Sequence, residues 1–294
     1  MKKTLLRVWL ATTIMALCYF GYWYYNKYQD DLAYEEYLAN IVDTASPNVF
    51  SLRDSVLITY QNEKRTVHIY LPPDYATDTL KRYPVMYMLD GESSFNEKEN
   101  MAPEWQIDEV IDTAYLNGGP TAIVIGIEQS ENRDAEYTPW VNEDNPDAHG
   151  KEFGDWMASE FKPWIDSTFR TQTAATSTTV GGVSRSGMMA YYLTMAHPEA
   201  FGNALIQSPA MWVDEERLLA MELTPEQLKD KKIFITVGEY EGRVMIPNAE
   251  NIYKKFQKSG LDNDHVRYEW IMGESHWHPT WRKSFAMAYP WLMK

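Results

Sequence analysis

The pattern of apolar and polar residues predicts regular elements through most of the chain. Buried or short strands are predicted at residues 83–89, 121–127, 178–182, 203–207, 233–238 and 266–272. Alternation of apolar and polar residues predicts two half-buried antiparallel strands at residues 55–60 and 65–71, joined by a polar turn. Helical spacing predicts helices at residues 105–116, 153–165, 187–197, 249–259 and 281–292.

This order of elements favours an α/β fold. Strands that alternate with helices form a mostly parallel sheet with helices on both faces. The antiparallel pair at the beginning makes the predicted sheet a mixed one. No internal repeat or low-complexity tract interrupts the pattern, so residues 48–294 are predicted to form one domain.

The amino-terminal segment, residues 1–25, is predicted to be a transmembrane anchor or a signal segment. Three basic residues precede residues 8–25, an uncharged stretch that ends in aromatic side chains. Eighteen helical residues rise about 27 Å, close to the hydrocarbon thickness of a bilayer. We expect a membrane-anchor helix, a polar stalk at residues 26–47, and the remaining domain outside the cytoplasm, in the periplasm if the source is a Gram-negative bacterium. Secretion after signal cleavage and a buried helix of a soluble protein are the alternatives.

Composition narrows the classes of partner. Hydrophobic residues make up 45% of the chain and charged residues 23%, which is typical of a globular protein with a core. The formal net charge of -15 repels phosphate backbones, so no nucleic-acid partner is expected. Cys18 is the single cysteine, which excludes an internal disulfide and a multi-cysteine metal site. These totals make no prediction of the oligomeric state.

Candidate chemistry centres on Ser184, in the segment GVSRSG between a predicted strand and a predicted helix. Small residues at such a junction permit a strained turn that presents a serine hydroxyl. The helix amino terminus directs backbone N–H groups towards a developing oxyanion. In the usual G-x-S-x-G pattern the second glycine stands where this chain has Ser186, and Gly187 follows. Ser184 is therefore the candidate nucleophile.

A serine nucleophile needs a general base, and in this kind of fold the chain order is serine, acid, histidine. His276 lies in the loop after the last predicted strand and is the candidate base, with His278 as the alternative. The acid is expected after the strand at residues 233–238. Either Glu239 or Glu241 could orient the imidazole there.

Several segments together resemble the Putative esterase family of α/β-hydrolases, over residues 49–292. They are LPPDY, YPVMYMLDGESSF, the serine segment, RDAEYTP, FKPWID with FRT, and GESHWHPTW. That family includes enterochelin (siderophore) esterases, esterase D, feruloyl and acetyl-xylan esterases, and mycolyltransferases. The resemblance implies the α/β-hydrolase fold and a serine carboxylic-ester hydrolase that works through an acyl-enzyme on Ser184.

The resemblance also implies roles for individual residues. Ser184 matches the nucleophile, His276 the histidine, and Glu241 the acid, which the family places three residues after the strand-ending glycine. The backbone N–H of Arg185 matches one donor of the oxyanion hole. The segment with Glu92 and Ser93 matches the second donor.

Residues expected to contact the substrate are Trp212, Trp277, His278 and Arg185. Arg185 would bring a cation to the cleft, although a salt bridge to a nearby carboxylate explains it equally well. The expected substrate is a small-molecule ester, such as a siderophore or another ester of the exported compartment. No metal and no cofactor are needed. An acyltransferase with the same triad and a non-catalytic binding protein on this fold are the alternatives.

Overall fold

A computed structural model of the protein describes residues 2–100 and 103–294. The chain divides into two compact units, Met1–Asp43 and Thr44–Lys294. The first unit contains helix α1 (Lys2–Asn40). Met1, with which the predicted segment 1–25 begins, lies outside the described residues. The predicted boundaries after residues 25 and 47 stay predictions.

The predicted membrane anchor at residues 8–25 is not supported. This stretch lies within α1, and no helix in the described part of the chain has a segment long and apolar enough to span a membrane. An uncharged residue is not always an apolar one. The stretch contains four tyrosines and two threonines, whose hydroxyl groups are costly to bury in hydrocarbon.

The second unit is built on one sheet, which in the described residues has eight strands in the order β1-β2-β4-β3-β5-β6-β7-β8. The strands are β1 (Val49–Ile58), β2 (Glu63–Tyr70), β3 (Val85–Leu89), β4 (Ile123–Ile127), β5 (Thr178–Val183), β6 (Asn203–Gln207), β7 (Ile233–Gly238) and β8 (Val266–Ile271). Strand β2 is antiparallel to β1 and to β4, and every other pairing is parallel. The predicted mostly parallel mixed sheet is confirmed.

Helices cover both faces of this sheet. They are α2 (Ile107–Leu116), α3 (Arg133–Glu136), α4 (Gly150–Trp156), α5 (Lys162–Thr168), α6 (Ser184–Ala196), α7 (Glu215–Ala220), α8 (Pro225–Leu228), α9 (Gly242–Lys258) and α10 (His278–Leu292). A π-helical turn, Met157–Phe161, joins α4 to α5, and short 3₁₀ turns lie at Gly91–Ser93, Ala175–Ser177 and Met211–Val213.

Side chains alternate between the two faces along each buried strand, as strand geometry requires. In β3, Tyr87 and Leu89 belong to the apolar core that includes residues of α4, α6 and α9. Their neighbours Met86 and Met88 belong to a second core with residues of α2 and α10. Because the central strands are parallel, their carboxyl ends lie along one edge of the sheet, where ligand sites of α/β folds form.

Candidate active site

Ser184 lies at the junction of β5 and α6, where the backbone turns sharply. Its φ is 55°, in the left-handed region that is strained for a residue with a Cβ. Two glycines make room for the turn. A Cβ at Gly182 would lie 2.5 Å from the carbonyl oxygen of Ser186, and one at Gly187 would lie 2.7 Å from that of Gln207. The turn has the strand-to-helix geometry of a nucleophile elbow.

Ser186, which stands where the usual motif has glycine, is fully buried. Its Oγ donates to Asp90 Oδ2 at 2.6 Å and accepts from the N–H of Val183 at 2.8 Å. Asp90 follows β3, and its carboxylate also accepts from Arg133, with Nε at 2.7 Å and Nη2 at 2.6 Å. This hydrogen-bonded ion pair fixes the elbow to the end of β3. Asp90 was not identified as a functional residue from the sequence, although its place at the carboxyl end of a buried strand is a usable signal.

His276 and Glu241 contact each other, with 2.9 Å between Nδ1 and Oε2. The Glu241 side chain is fully buried and that of His276 is 36% exposed. The other carboxylate oxygen, Oε1, accepts from the N–H of Gly238 at 2.7 Å and from Oγ of Ser208 at 2.6 Å. A carboxylate only accepts, so Nδ1 of His276 carries the proton and Nε2 is the basic nitrogen. The buried carboxylate thus selects the tautomer that a general base requires.

Ser208 and Trp281 support this pair. The indole Nε1 of Trp281 donates to Oγ of Ser208 at 3.2 Å, and its ring packs edge-on against that of His276 with 5.2 Å between centroids. Ser208 directly follows β6 and has a left-handed φ of 45°. It was not identified from the sequence. The signal that could have found it is a polar residue at the carboxyl end of a buried strand next to β7.

The two alternatives to the triad residues lie in other contacts. Glu239 accepts from the N–H of Gly273 through Oε2 at 2.8 Å, so its carboxylate stabilises the turn after β8. The ring of His278 stacks with Trp105 at 6.2 Å and packs edge-on against Trp281 at 5.0 Å. Burial lowers the pKa of His278. The geometry therefore favours the preferred acid and base over both alternatives.

The backbone N–H groups predicted to bind the oxyanion differ in whether another acceptor already occupies them. The N–H of Ser93 donates to the carbonyl oxygen of Asp90 at 3.1 Å, so it is engaged in the 3₁₀ turn and is not free to bind an oxyanion. The N–H of Arg185 belongs to the first turn of α6, whose amides have no intrahelical acceptor. The N–H of Glu92 lies close to the carboxylate of the same residue, whose pKa it lowers. This carboxylate also accepts from the N–H of Gln129 at 3.2 Å, and burial together with the charge of Asp90 raises its pKa to about 8.

The cation of Arg185 is already paired. Its Nε lies 2.9 Å from Oδ1 of Asp134, and its Nη1 donates to Oγ1 of Thr138 at 2.8 Å and to Oδ1 of Asn145 at 3.2 Å. Two roles were predicted for this cation, an anionic substrate group and a salt bridge. The structure shows the salt bridge.

Two exposed indole rings, Trp212 and Trp277, lie on segments that contact or contain catalytic candidates. Trp212 is 51% exposed, and the nearby Ala210 donates its N–H to the carbonyl oxygen of Ser184 at 2.9 Å. Trp277 is 50% exposed, follows His276, and donates from Nε1 to Oε2 of Glu274 at 2.9 Å. Both rings present apolar surface to solvent, as a binding surface for a small molecule does.

Two groups of side chains among the described residues could hold a metal ion, and the catalytic candidates belong to neither. The groups are His68 with Glu99 and Glu128, and Glu104 with Asp108 and Glu109. In the first group the ligand atoms are already paired: Nε2 of His68 lies 2.9 Å from Oε1 of Glu128, and Glu99 forms an ion pair with Arg53.

Comparison with known proteins gives a family and a fold. Residues 58–292 match the family described as Putative esterase. The protein YbbA of Bacillus subtilis (strain 168) is 26% identical over 244 residues, which cover 78% of this chain and 92% of YbbA. In structure the chain is similar to a ferulic acid esterase, with a TM-score of 0.64, 18% identity, and coverage of 84% of this chain and 98% of that one. It is also similar to the enterobactin esterase FES of Shigella flexneri, with a TM-score of 0.62, 19% identity, and coverage of 85% and 60% respectively.

The structural likenesses support the α/β-hydrolase fold. The family match spans most of the chain and includes Ser184, Glu241 and His276. The chain therefore belongs to the Putative esterase family, and its reaction class is that of an esterase.

Proposed function

We propose that the protein is a serine carboxylic-ester hydrolase that forms an acyl-enzyme on Ser184. The 2.9 Å contact between Nδ1 of His276 and Oε2 of Glu241 carries this proposal. A serine hydroxyl becomes a nucleophile only beside a base, and a histidine held by a buried carboxylate is such a base. The left-handed backbone at Ser184 supports the same role, because it presents the hydroxyl at the end of β5.

In the acylation step, Oγ of Ser184 attacks the carbonyl carbon of the ester while Nε2 of His276 takes the hydroxyl proton. The Glu241 carboxylate stabilises the imidazolium that forms. The carbonyl oxygen becomes negative, and the backbone N–H groups of Arg185 and Glu92 are the proposed donors to it. The imidazolium then gives its proton to the alcohol oxygen as the bond between that oxygen and the acyl carbon breaks.

In the deacylation step, water attacks the acyl carbon and Nε2 of His276 takes one of its protons. The second tetrahedral intermediate then collapses, the bond to Oγ of Ser184 breaks, and that oxygen regains its proton from the imidazolium. A carboxylic acid leaves and the free enzyme is restored. One residue thus serves as base and acid in both halves of the reaction.

For the substrate, we propose an ester that carries an aromatic ring, such as a catecholate siderophore or a feruloyl ester. Trp212 and Trp277 are half-exposed indoles, one two residues after Ala210, which bonds to Ser184, and one directly after His276. Indole rings bind other aromatic rings by stacking. The names of the similar structures, a ferulic acid esterase and an enterobactin esterase, agree with this class. An anionic substrate group is not required, because Arg185 is paired with Asp134.

Turnover of an ester panel tests the proposal. The panel contains short-acyl p-nitrophenyl esters, a feruloyl ester and a catecholate trilactone. We expect the feruloyl ester and the catecholate trilactone to be hydrolysed in preference to the short-acyl p-nitrophenyl esters. Ser184→Ala should lower kcat by roughly 10³-fold or more. Ser167→Ala removes an exposed hydroxyl from α5 and is the matched control, which should retain full activity.

Three outcomes would contradict parts of the proposal. Full activity of Ser184→Ala would exclude this serine as the nucleophile. Absence of hydrolysis across the panel would favour a binding protein on this fold. Transfer of the acyl group to an added alcohol in preference to water would assign an acyltransferase with the same triad.

We also propose that the protein acts outside the cytoplasm. The proposal rests on the basic residues Lys2, Lys3 and Arg7, which precede an uncharged stretch. Basic residues precede the apolar segment of an export signal in the same way. Fractionation of cells that express the full chain tests it, and recovery of the protein with the cytosol would contradict it.

A further inference from the structure

Three acidic side chains converge near the beginning of α2. Glu104 precedes this helix, and Asp108 and Glu109 lie in its first turn. One carboxylate oxygen of each lies within 4.8 Å of those of the other two. Glu104 and Asp108 are fully buried. Like charges packed this closely away from water repel one another, so the arrangement needs a compensating charge or protons.

Within the described part of the chain, four oxygens of this acidic group are buried and accept no hydrogen bond of ordinary geometry. Both oxygens of Glu104, Oδ1 of Asp108 and Oε2 of Glu109 are in this state. The other oxygen of Asp108 accepts from the N–H of Ser46 at 2.7 Å. Buried polar atoms in folded proteins nearly always have a partner, so four unpartnered oxygens in one place indicate a missing ligand.

Arg282 binds the backbone of Glu104 rather than a carboxylate of the acidic group. Arg282 donates from Nε at 3.0 Å and from Nη2 at 2.7 Å to the backbone carbonyl oxygen of Glu104, and its Nη2 lies 3.7 Å from Glu97. Within the described residues, none of the three carboxylates forms an ion pair with a lysine, arginine or histidine.

The donor set indicates which cation would fit. Carboxylate oxygens are ligands for hard cations, and Ca²⁺ binds oxygens at about 2.3–2.6 Å, so oxygens on opposite sides of one ion are about 5 Å apart. The 4.8 Å limit on the three oxygens is compatible with that span. Mg²⁺ prefers shorter bonds and keeps several waters, which suits a buried group of protein oxygens less well.

The acidic group is connected to the catalytic histidine through aromatic rings. Trp105, the residue after Glu104, packs edge-on against Trp281 at 6.5 Å, and Trp281 packs against His276 at 5.2 Å. Trp105 also stacks with His278, at 6.2 Å. An ion bound at Glu104 would therefore restrain the aromatic residues that support the His276 loop.

We propose that Glu104, Asp108 and Glu109 bind one calcium ion. This ion stabilises Trp105 and Trp281, the aromatic residues that pack behind His276. The role of the ion is structural, because the serine, histidine and acid candidates lie outside its ligands. The site is independent of the proposed ester chemistry, so its failure and the failure of that chemistry are separate results.

Thermal melting of the full chain tests the site, after removal of metal with a chelator and with Ca²⁺ alone as the probe. At a hundredfold excess over Kd we expect Tm to rise by roughly 5–10 °C. The rise should be absent in Glu104→Gln and retained in Glu99→Gln, which alters the other group of potential ligands. In the presence of the chelator, the Tm of Glu104→Gln should equal or exceed that of the wild type, because the substitution removes a buried unpaired charge.

A second measurement detects the ion at its site. Tb³⁺ bound beside Trp105 should show luminescence on indole excitation, and Ca²⁺ should displace it. The signal should be lost in Glu104→Gln and retained in Glu99→Gln. The proposal is overturned if the wild type shows no Ca²⁺-dependent rise in Tm, if the rise survives Glu104→Gln, or if Mg²⁺ gives the same rise at the same concentration.

Discussion

Glu241 and Glu104 are both buried and lie at opposite ends of the packed rings of His276, Trp281 and Trp105, but their carboxylates differ in hydrogen bonding. The carboxylate of Glu241 accepts three hydrogen bonds, from Gly238, Ser208 and His276. The carboxylate of Glu104 is equally buried, and among the described residues neither of its oxygens accepts a hydrogen bond of ordinary geometry. A buried carboxylate is retained where something uses its charge. The charge of Glu241 holds His276. For Glu104 we infer that the charge holds a cation.

The difference follows from where each glutamate lies in the fold. Glu241 lies three residues after the end of β7, where the carboxyl ends of neighbouring parallel strands supply donors from Gly238 and Ser208. Glu104 lies in the connection between β3 and α2. The strand ends thus fix a carboxylate within the protein, whereas the acidic group near α2 requires a ligand from outside.

The largest expected effect is on catalysis by Glu241. We expect Glu241→Gln to lower kcat by at least about a hundredfold with little change in KM, because the amide cannot stabilise the imidazolium. Glu239→Gln is the matched control and should cost less than about tenfold, since Glu239 only supports the turn at Gly273. Steady-state kinetics on variants with equal Tm measures both. A crippled Glu239→Gln with a normal Glu241→Gln would reverse the assignment of the acid.

The next effect is the pH dependence of stability in metal-free protein. The pKa of Glu104 is raised from 4.5 to about 7, so between these values the folded protein holds a proton that the unfolded chain has lost. Stability therefore falls as pH rises through this window, by up to about 1.4 kcal/mol per pH unit from this group. We expect Glu104→Gln to be more stable than the wild type by roughly 2–3 kcal/mol at pH 8 and equal to it near pH 4.5.

Urea unfolding in chelator at several pH values measures this difference. Asp108 adds a similar slope in both proteins, because burial raises its pKa to about 8 as well, so the comparison isolates Glu104. A difference in stability that does not change with pH would contradict the account of Glu104.

Asp90 is a third buried carboxylate, and like Glu241 it accepts hydrogen bonds inside the protein, from Arg133 and Ser186. Ser186→Ala should lower the free energy of unfolding by about 1–2 kcal/mol, because Asp90 loses a donor inside the protein. Ser167→Ala, which removes an exposed hydroxyl, should change it by less than about 0.5 kcal/mol. Equal effects of the two substitutions would show that the buried hydroxyl does not fix the elbow.

The smallest effect is expected at an exposed carboxylate. The Asp134 side chain is 63% exposed where it pairs with Arg185. Asp134→Asn should lower the free energy of unfolding by less than about 1 kcal/mol, and less still at high salt. The KM for a neutral aromatic ester should not change. A large rise in this KM would restore a role for Arg185 in substrate binding.

Much of the fold could be predicted because continuous apolar runs leave few alternatives. The bounds of β6 and β7 match the predicted residues 203–207 and 233–238. The beginnings of helices were less predictable. Helix α9 begins at Gly242, seven residues before the predicted 249, and Pro247 lies inside it. A proline beyond the first helical turn reads as a helix breaker in sequence, because it has no N–H to bond the carbonyl oxygen four residues earlier.

The candidate triad could be predicted from the chain order of serine, acid and histidine, together with the elements that precede them. The partners of those residues could not. Ser208 meets Glu241 because β6 lies beside β7, and Asp90 meets Ser186 because β3 lies beside β5. Strand order is a property of the folded sheet and leaves little trace in local sequence.

Covalent labelling tests the central claim most directly. A fluorophosphonate reacts with an activated serine, so the wild-type protein should gain one adduct per chain, located by peptide mapping at Ser184. Ser184→Ala should remain unlabelled, and Glu241→Gln should label more slowly than Glu239→Gln. An adduct that persists in Ser184→Ala, or a wild-type protein that does not react, would contradict the proposed serine mechanism.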